Sequence, residues 1–240
     1  MGFRREKNSA GDEKEVDGPG ECWIWTAIDA KTRLMIHVWA ADRTEESGRD
    51  FIAKMVRRLA GDKPLFTSDE LKAYPPLLLE QYHDVVEADR TGMRGRPRGP
   101  EFVVHDDLDY ATVHKTRENS RIVKVETKIV FGNAERIAAR LENSPSHNIN
   151  TAYVERMNGT LRQMDAHLKR KAHTFAKSFE YLKAKLHLVV AYYNFIRPHW
   201  TLSKNPDRTF TPRTPAMAAG LATQPWSIGF MLGAPRLCNE

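Results

Sequence analysis

The spacing of the hydrophobic residues changes along this chain of 240 residues. In the first part, short runs of β-branched and aromatic residues are separated by polar turns, which is typical of β-strands. In the last third, apolar residues recur three and four positions apart, as they do on one face of a helix. The sequence therefore predicts an α/β fold whose C-terminal third is α-helical.

The first two thirds of the sequence predict strands and helices in alternation. In chain order they are a hairpin over residues 22–41, a helix that Thr44 caps and Gly61 ends, a strand Leu65–Ser68 that ends at Asp69, a helix from Ala73, and strand-like runs at Ile122–Val125 and Thr127–Phe131. The Arg-, Gly- and Pro-rich residues 90–100 predict a basic loop or inserted arm.

Two long helices are predicted in the last third. Thr151 can cap a helix that runs to about Lys171, and a second helix runs to about Phe195 and stops before Pro198. The buried face of the first helix is predicted to contain Val154, Met157, Leu161, Met164 and Leu168. At 100° per residue, the opposite face is predicted to contain Glu155, Asn158, Gly159, Arg162 and Lys169.

The positive charge of the chain is concentrated in this helical third. The whole chain has 37 Lys and Arg against 31 Asp and Glu, a net charge of +6. Residues 156–213 contain 12 against 3, a net charge of +9, whereas residues 1–155 contain 24 against 27, a net charge of −3. Basic surfaces attract phosphate backbones, so nucleic acid is the expected partner. The alternative is a solvated basic helix face.

Composition excludes several other classes of protein. No apolar run approaches the ~18–20 residues of a membrane span, and the polar residues 1–20 lack the apolar core of a signal peptide. Cys22 and Cys238 lie at opposite ends of the chain, which excludes a disulfide framework and a Cys-rich zinc site. A cytoplasmic protein without a membrane partner is expected.

Three segments resemble a known enzyme family. Asn150-Thr-Ala-Tyr-Val-Glu-Arg-Met-Asn-Gly-Thr-Leu-Arg-Gln163 is similar to the third-carboxylate helix of DDE transposases of the insertion-sequence 1 type. Thr67-Ser-Asp-Glu-Leu-Lys-Ala-Tyr74 resembles their second-aspartate segment, with Glu70 where the family usually has Gly. Tyr192-Tyr-Asn-Phe-Ile-Arg-Pro-His199 resembles the close of many transposase and integrase catalytic domains.

The resemblance implies an RNase H-like catalytic domain over residues 21–200, a mixed sheet flanked by helices, followed by a Pro-rich tail over residues 201–240. It implies that Asp69 and Glu155 are catalytic carboxylates that bind two Mg²⁺ or Mn²⁺ ions. The implied activity is hydrolysis of the DNA ends of an insertion sequence and their transfer into target DNA. Synapsis of two double-stranded ends implies a homo-oligomer.

Polar residues near the glutamate and in the basic third are the expected DNA contacts. They are Arg156, Asn158, Arg162, Lys169, Arg170, Lys171, Arg197 and His199. The structural alternative for the residues around Glu155 is an exposed, salt-bridged helix face, and for Asp69 it is a turn or cap after a strand.

The first catalytic aspartate is not assigned within this sequence. Asp29 follows an apolar run, but family members place this aspartate on the first strand, before the hairpin, so Asp29 is expected in a non-catalytic turn. Gly2–Asn8 is similar to the end of the first strand and its turn, which implies that the aspartate lies upstream of Met1 in an N-terminally truncated transposase. The alternatives are an inactive remnant that binds DNA or full-length transposase, and a small RNase H-type nuclease.

Overall fold

The computed structural model describes residues 22–59, 63–86, 99, 101–119, 121–169, 174 and 176–233, and the backbone of Gly2–Phe3. Of the predicted basic loop over residues 90–100, only Gly99 lies within these ranges. The chain has the predicted α/β class, and its contacts divide it into two compact units, one of residues 1–47 and 152–240 and one of residues 48–151.

The described strands are β1 (Gly2–Phe3), β2 (Cys22–Ile28), β3 (Met35–Ala41), β4 (Leu65–Asp69), β5 (His83–Val86), β6 (Glu101–Val104), β7 (Asp109–Glu118) and β8 (Arg121–Phe131). The described helices are α1 (Glu45–Val56), α2 (Tyr74–Gln81), α3 (Ala134–Glu142), α4 (Ala152–Met164), α5 (Phe179–Ala191), α6 (Trp200–Ser203), α7 (Pro215–Ala218) and α8 (Ile228–Gly233). None of these helices has the length and apolar content of a membrane span.

The first unit consists of a small antiparallel sheet and the C-terminal helices. Its strands lie in the order β1-β2-β3, and α4 and α5 pack against β2 and β3. The shared core contains Ile24, Met35, Val38, Ala40, Met157, Leu161, Leu168, Leu182, Leu186 and Tyr193. Burying each of the large side chains contributes about 1.5–3 kcal/mol, so this core fixes α4 on the hairpin.

The second unit contains a mixed sheet in the order β4-β7-β8, in which β4 is parallel to β7 and β8 is antiparallel to it. Strands β5 and β6 form a separate two-stranded sheet. Asp109, at the start of β7, is fully buried and forms ion pairs with Arg136 and Arg140 of α3. Asn133 caps α3 by accepting a hydrogen bond of 2.7 Å from the Glu135 amide, which directs both arginines toward this carboxylate.

Most of the predicted local elements are confirmed. The hairpin over residues 22–41, the strand that ends at Asp69 and the helix from Ala73 all form. Thr44 caps α1, since its hydroxyl accepts a hydrogen bond of 3.2 Å from the Ser47 amide. The buried positions Met157 and Leu161 of α4 also agree with the predicted face.

Two local predictions were wrong, and one helix was missed. Helix α4 ends at Met164 rather than near Lys171, because the buried Asp165 accepts a hydrogen bond from the His167 amide and begins a 3-10 turn over Ala166–Leu168. The two predicted runs between residues 122 and 131 are one continuous strand, β8. Helix α3 was not predicted.

The residues after position 200 contribute to the packed first unit. Ser203 and Thr214 are fully buried, and the Ser203 hydroxyl accepts a hydrogen bond of 2.9 Å from the Arg213 amide. Thr214 caps α7 by accepting a hydrogen bond of 3.2 Å from the Met217 amide. The predicted division between a domain and a tail at residue 200 therefore lies inside this unit.

Candidate functional site

Helix α4 presents Glu155 in its first turn. Met157 and Leu161 are buried in the core, and this orientation leaves Glu155 and Arg156 exposed. Arg162 is half-buried two turns further along. The predicted polar face of the helix around Glu155 therefore exists in the structure.

Asn158 connects this face of α4 to the hairpin. The Thr26 hydroxyl of β2 donates a hydrogen bond of 3.1 Å to the Asn158 side-chain carbonyl. This bond joins residues that are 132 positions apart. Asn158, predicted as a DNA contact, thus has a contact that holds α4 in place, one turn after Glu155.

Positive charges gather around His199 in the first unit. The Arg33 guanidinium stacks over the ring of Tyr153 in α4, 3.9 Å from its centroid. The His199 ring lies edge-on to Tyr193, with 6.3 Å between the ring centroids. The Arg33 Nη1 and His199 Nδ1 atoms are both buried, and neither has a hydrogen-bond partner among the described residues.

The pKa values of His199 and Tyr193 reflect the same nearby positive charges. Burial lowers the pKa of His199 from its ordinary value of 6.5, and three positive charges lower it further. These charges belong to Arg33, Arg197 and Arg156. Burial raises the pKa of Tyr193 to about 12, although Arg33 and Arg197 act in the opposite direction. We call Arg33, Arg156, Arg197 and His199 the arginine cluster. Its charges and its two buried nitrogens suit an anion.

Asp69 occupies the carboxyl end of β4 in the second unit, where it is exposed. Its neighbour Ser68 donates a hydrogen bond of 2.6 Å to the Asp69 backbone carbonyl and lies 2.7 Å from the Tyr110 hydroxyl. Burial raises the pKa of Tyr110, and the negative charge of Asp69 raises it further despite the hydrogen bond to Ser68. The negative charge of Asp69 therefore acts on the hydroxyl of this buried tyrosine.

Two other acidic residues from the sequence analysis have local partners. Glu70, which stands where the related transposases usually have Gly, forms an ion pair of 2.5 Å with His114 of β7. Asp29 accepts hydrogen bonds from the backbone amides of Lys31 and Thr32 at 3.1 and 2.9 Å. Asp29 thus stabilises the β2–β3 turn, where it was expected.

Lys169 does not continue the helix face of Glu155. Lys169 is exposed, but it follows the 3-10 turn over Ala166–Leu168 rather than continuing α4, so its predicted position on that helix face was wrong. Arg170 and Lys171 lie outside the described residues. Arg197 and His199 close the π-helical turn Tyr192–Ile196 and belong to the arginine cluster.

Within the described residues, no group of three or more His, Cys, Asp or Glu side chains is arranged to hold a metal ion. Asp69 and Glu155 belong to different units, and each is an exposed carboxylate. Carboxylate oxygens are the hard donors that Mg²⁺ and Mn²⁺ prefer, and Mg²⁺ usually takes only one or two of them from a protein. By the chemistry of their donors, these two residues fit the predicted ions.

Sequence reasoning missed Arg33 and Tyr153. Arg33 adopts a left-handed backbone conformation, with φ of 64°, at the end of the β2–β3 turn. Its stacking partner Tyr153 lies inside the segment that resembles the transposase helix. That segment could have drawn attention to Tyr153, whereas no local signal indicates Arg33.

Comparison of the chain with protein-family models, with curated proteins and with solved structures finds no match.

Proposed function

We propose that this chain is the catalytic part of a DDE transposase of the insertion-sequence 1 type. It would hydrolyse the phosphodiester at a DNA end and then join the freed 3′-hydroxyl to target DNA. The observation that carries the proposal is the exposed carboxylate of Glu155 on the helix that also supplies Arg156 to the arginine cluster and Tyr153 as the ring on which Arg33 stacks. An exposed carboxylate next to an exposed arginine on one helix suits a phosphodiester substrate.

The arginine cluster would bind the DNA backbone. Guanidinium groups bind phosphate through several hydrogen bonds at once, and Arg33 is pre-ordered by its stacking on Tyr153. Arg156 and Arg197 are exposed and could reach a phosphate from the surface. Binding there would also relieve the repulsion between the clustered charges. DNA is therefore the partner that we propose.

By the resemblance, Asp69 and Glu155 would each supply a carboxylate ligand to Mg²⁺ or Mn²⁺. When bound, such ions stabilise the negative charge on the attacking and leaving oxygens. The chain itself positions Glu155. The core that contains Met157 and the Thr26–Asn158 hydrogen bond fix α4 and hence Glu155. The Tyr110 and Ser68 hydroxyls lie beside the backbone of Asp69 and order the end of β4.

We also propose that the fold is RNase H-like. Two features support this proposal. The antiparallel order β1-β2-β3 agrees with a first strand that precedes a hairpin of the second and third. The parallel pairing of β4 with β7 agrees with a mixed sheet in which the second aspartate ends a strand. A homo-oligomer is part of the same proposal, because two DNA ends must be held together.

The first test measures binding to a duplex DNA by fluorescence anisotropy at several salt concentrations. Arg33→Gln should weaken binding about tenfold and reduce the salt dependence by about one counterion. Arg43→Gln is the matched control, because Arg43 also stacks on an aromatic ring, Trp23, at 4.4 Å but lies outside the arginine cluster. Equal effects of the two substitutions would contradict the proposed binding site.

The second test measures cleavage and strand transfer, with Mg²⁺ or Mn²⁺, on DNA that carries the ends of the element encoding the chain. Glu155→Gln should abolish both reactions but leave binding within about twofold, whereas Glu180→Gln should leave them unchanged. Glu180 is a suitable control because it is exposed and lies in the first turn of α5. DNA binding without cleavage by the unmodified chain would favour the inactive remnant, and cleavage of RNA–DNA hybrids alone would favour a nuclease.

A further inference from the structure

The outer edge of β8 is a long unpaired strand edge. Along one side, β8 pairs with β7 from Tyr110 opposite Phe131 to Glu118 opposite Arg121, with register irregularities at Val123 and Val130. Among the described residues, no strand pairs with its other side. Such an edge presents a row of backbone N–H and C=O groups to any strand that can align with it. At 11 residues, β8 is longer than most strands, so this row is extensive.

This edge also carries exposed apolar side chains. All nine residues from 121 to 129 are exposed, whereas Val130 and Phe131 are half-buried. The exposed fractions are 47% for Ile122, 52% for Val123, 55% for Val125 and 38% for Ile129. The exposed stretch contains no proline, which would block pairing. Its centre is Val125.

The order of charges favours pairing of this stretch with itself. In an antiparallel pair, the side chains of two residues that lie opposite each other point to the same face of the sheet. A two-fold axis between two identical strands must therefore place one residue directly opposite its own copy. With the axis at Val125, Lys124 of each copy lies opposite Glu126 of the other copy. An axis at Lys124 or at Glu126 would instead place like charges opposite each other, which is unfavourable.

The axis at Val125 also matches the exposed stretch and its apolar residues. Lys124, Val125 and Glu126, the residues nearest the axis, lie between the two irregularities and inside the exposed stretch, so the half-buried Val130 and Phe131 stay outside the central pairing. Val125 then faces Val125, a β-branched pair that stabilises neighbouring strands.

We propose that a second copy of this chain pairs with the β8 edge, antiparallel and around a two-fold axis at Val125. The two β4-β7-β8 sheets would then form one continuous six-stranded sheet. This contact is isologous, as in most homodimers, since the same residues contribute from both copies. The proposal does not depend on DNA binding or catalysis, so it can fail or succeed independently of the proposed transposase activity.

Sedimentation equilibrium of the full chain without DNA tests the dimer. We expect a concentration-dependent dimer for the unmodified chain. Lys124→Glu and Glu126→Lys should each weaken it about tenfold, because each places two like-charged pairs across the axis. The double exchange should restore it. Within one chain, Lys124 and Glu126 form an ion pair of 2.7 Å, which the double exchange also preserves.

Disulfide trapping tests the register. In a Cys238→Ser background, Val125→Cys should form an interchain disulfide under mild oxidation, whereas Ile129→Cys should not, since Ile129 lies four residues from the axis and is not opposite its own copy. Cys22 should contribute little, because burial raises the pKa of its thiol to about 11. A monomer at all concentrations, no recovery in the double exchange, or equal trapping of both cysteines would overturn the proposal. Circular dichroism verifies that each variant is folded.

Discussion

The side-chain amide of Asn194 forms two hydrogen bonds with the backbone of Met35. The Met35 amide donates to Oδ1, and Nδ2 donates to the Met35 carbonyl, each at 3.0 Å. Both residues are buried. The amide thereby pairs with the first residue of β3 as a neighbouring strand would. Asn194 lies in the segment that resembles the close of transposase domains, and in this structure it joins the C-terminal helices to the hairpin.

Asn194→Asp should therefore destabilise the chain. The substitution keeps the shape but removes the donor to the Met35 carbonyl and places two acceptors in a buried site. We expect the free energy of unfolding to fall by about 3 kcal/mol, measured by urea denaturation. Asn143→Asp, at an exposed position, should cost less than about 1 kcal/mol. Equal losses for the two variants would show that the Asn194 pair is unimportant.

Gly132→Ala should be more destabilising than the addition of a single methyl group would suggest. Gly132 has φ of 99°, and a Cβ there would lie 2.1 Å from Oδ1 of the buried Asp109. The methyl group would displace the carboxylate from Arg136 and Arg140, which predicts a loss of at least about 3 kcal/mol in thermal or urea unfolding.

Gly220→Ala is the matched control for this substitution. Gly220 has φ of 75°, but nothing lies within 4 Å of the added Cβ. Only the backbone strain remains, so we expect a loss of about 1 kcal/mol. If both variants lost the same amount, the close approach of Gly132 to Asp109 would not be the cause.

Lys185→Met should destabilise the connection between α4 and α5. The Lys185 ammonium donates a hydrogen bond of 2.7 Å to Oδ1 of Asp165, which is fully buried. Among the described residues, the carboxylate side chain would then keep only its contacts with His167, so we expect a loss of about 3–5 kcal/mol in denaturant unfolding. Lys183→Met breaks the pair with the exposed Glu180 and the cation–π contacts with Phe179 and Trp39, and should cost only about 1 kcal/mol. A loss no larger than this for Lys185→Met would refute the argument.

The stability of the chain should depend on the protonation of His199. Its pKa is lowered in the folded state from 6.5, so the unfolded chain binds the proton more readily. The contribution of neutral His199 is complete above about pH 6.5 and falls as the pH decreases from there toward the lower folded pKa.

Comparison with His199→Asn isolates this effect from the other histidines. The difference in unfolding free energy between the unmodified chain and the variant should be larger at pH 7.5 than at pH 5.5. Urea denaturation at the two pH values measures it. A difference that is constant, or larger at the acidic pH, would mean that the arginine cluster does not act on His199 as described.

Much of the local structure could be predicted because it depends on residues close together in the chain. The β2–β3 turn at Asp29, the cap at Thr44 and the strand that ends at Asp69 follow from short-range patterns. The errors also have local causes that a pattern does not reveal. The apolar spacing continues beyond Met164 to Leu168, but the buried Asp165 ends the helix between them.

The sequence by itself determined the α/β class, the basic C-terminal third and the exposed position of Glu155, since periodicity and charge are properties of neighbouring residues. Only the tertiary structure decided that Asn194 pairs with Met35, 159 positions away, and that Arg33 stacks on Tyr153. Such pairs form because the packing of separate elements brings them together. No spacing along the chain encodes that packing.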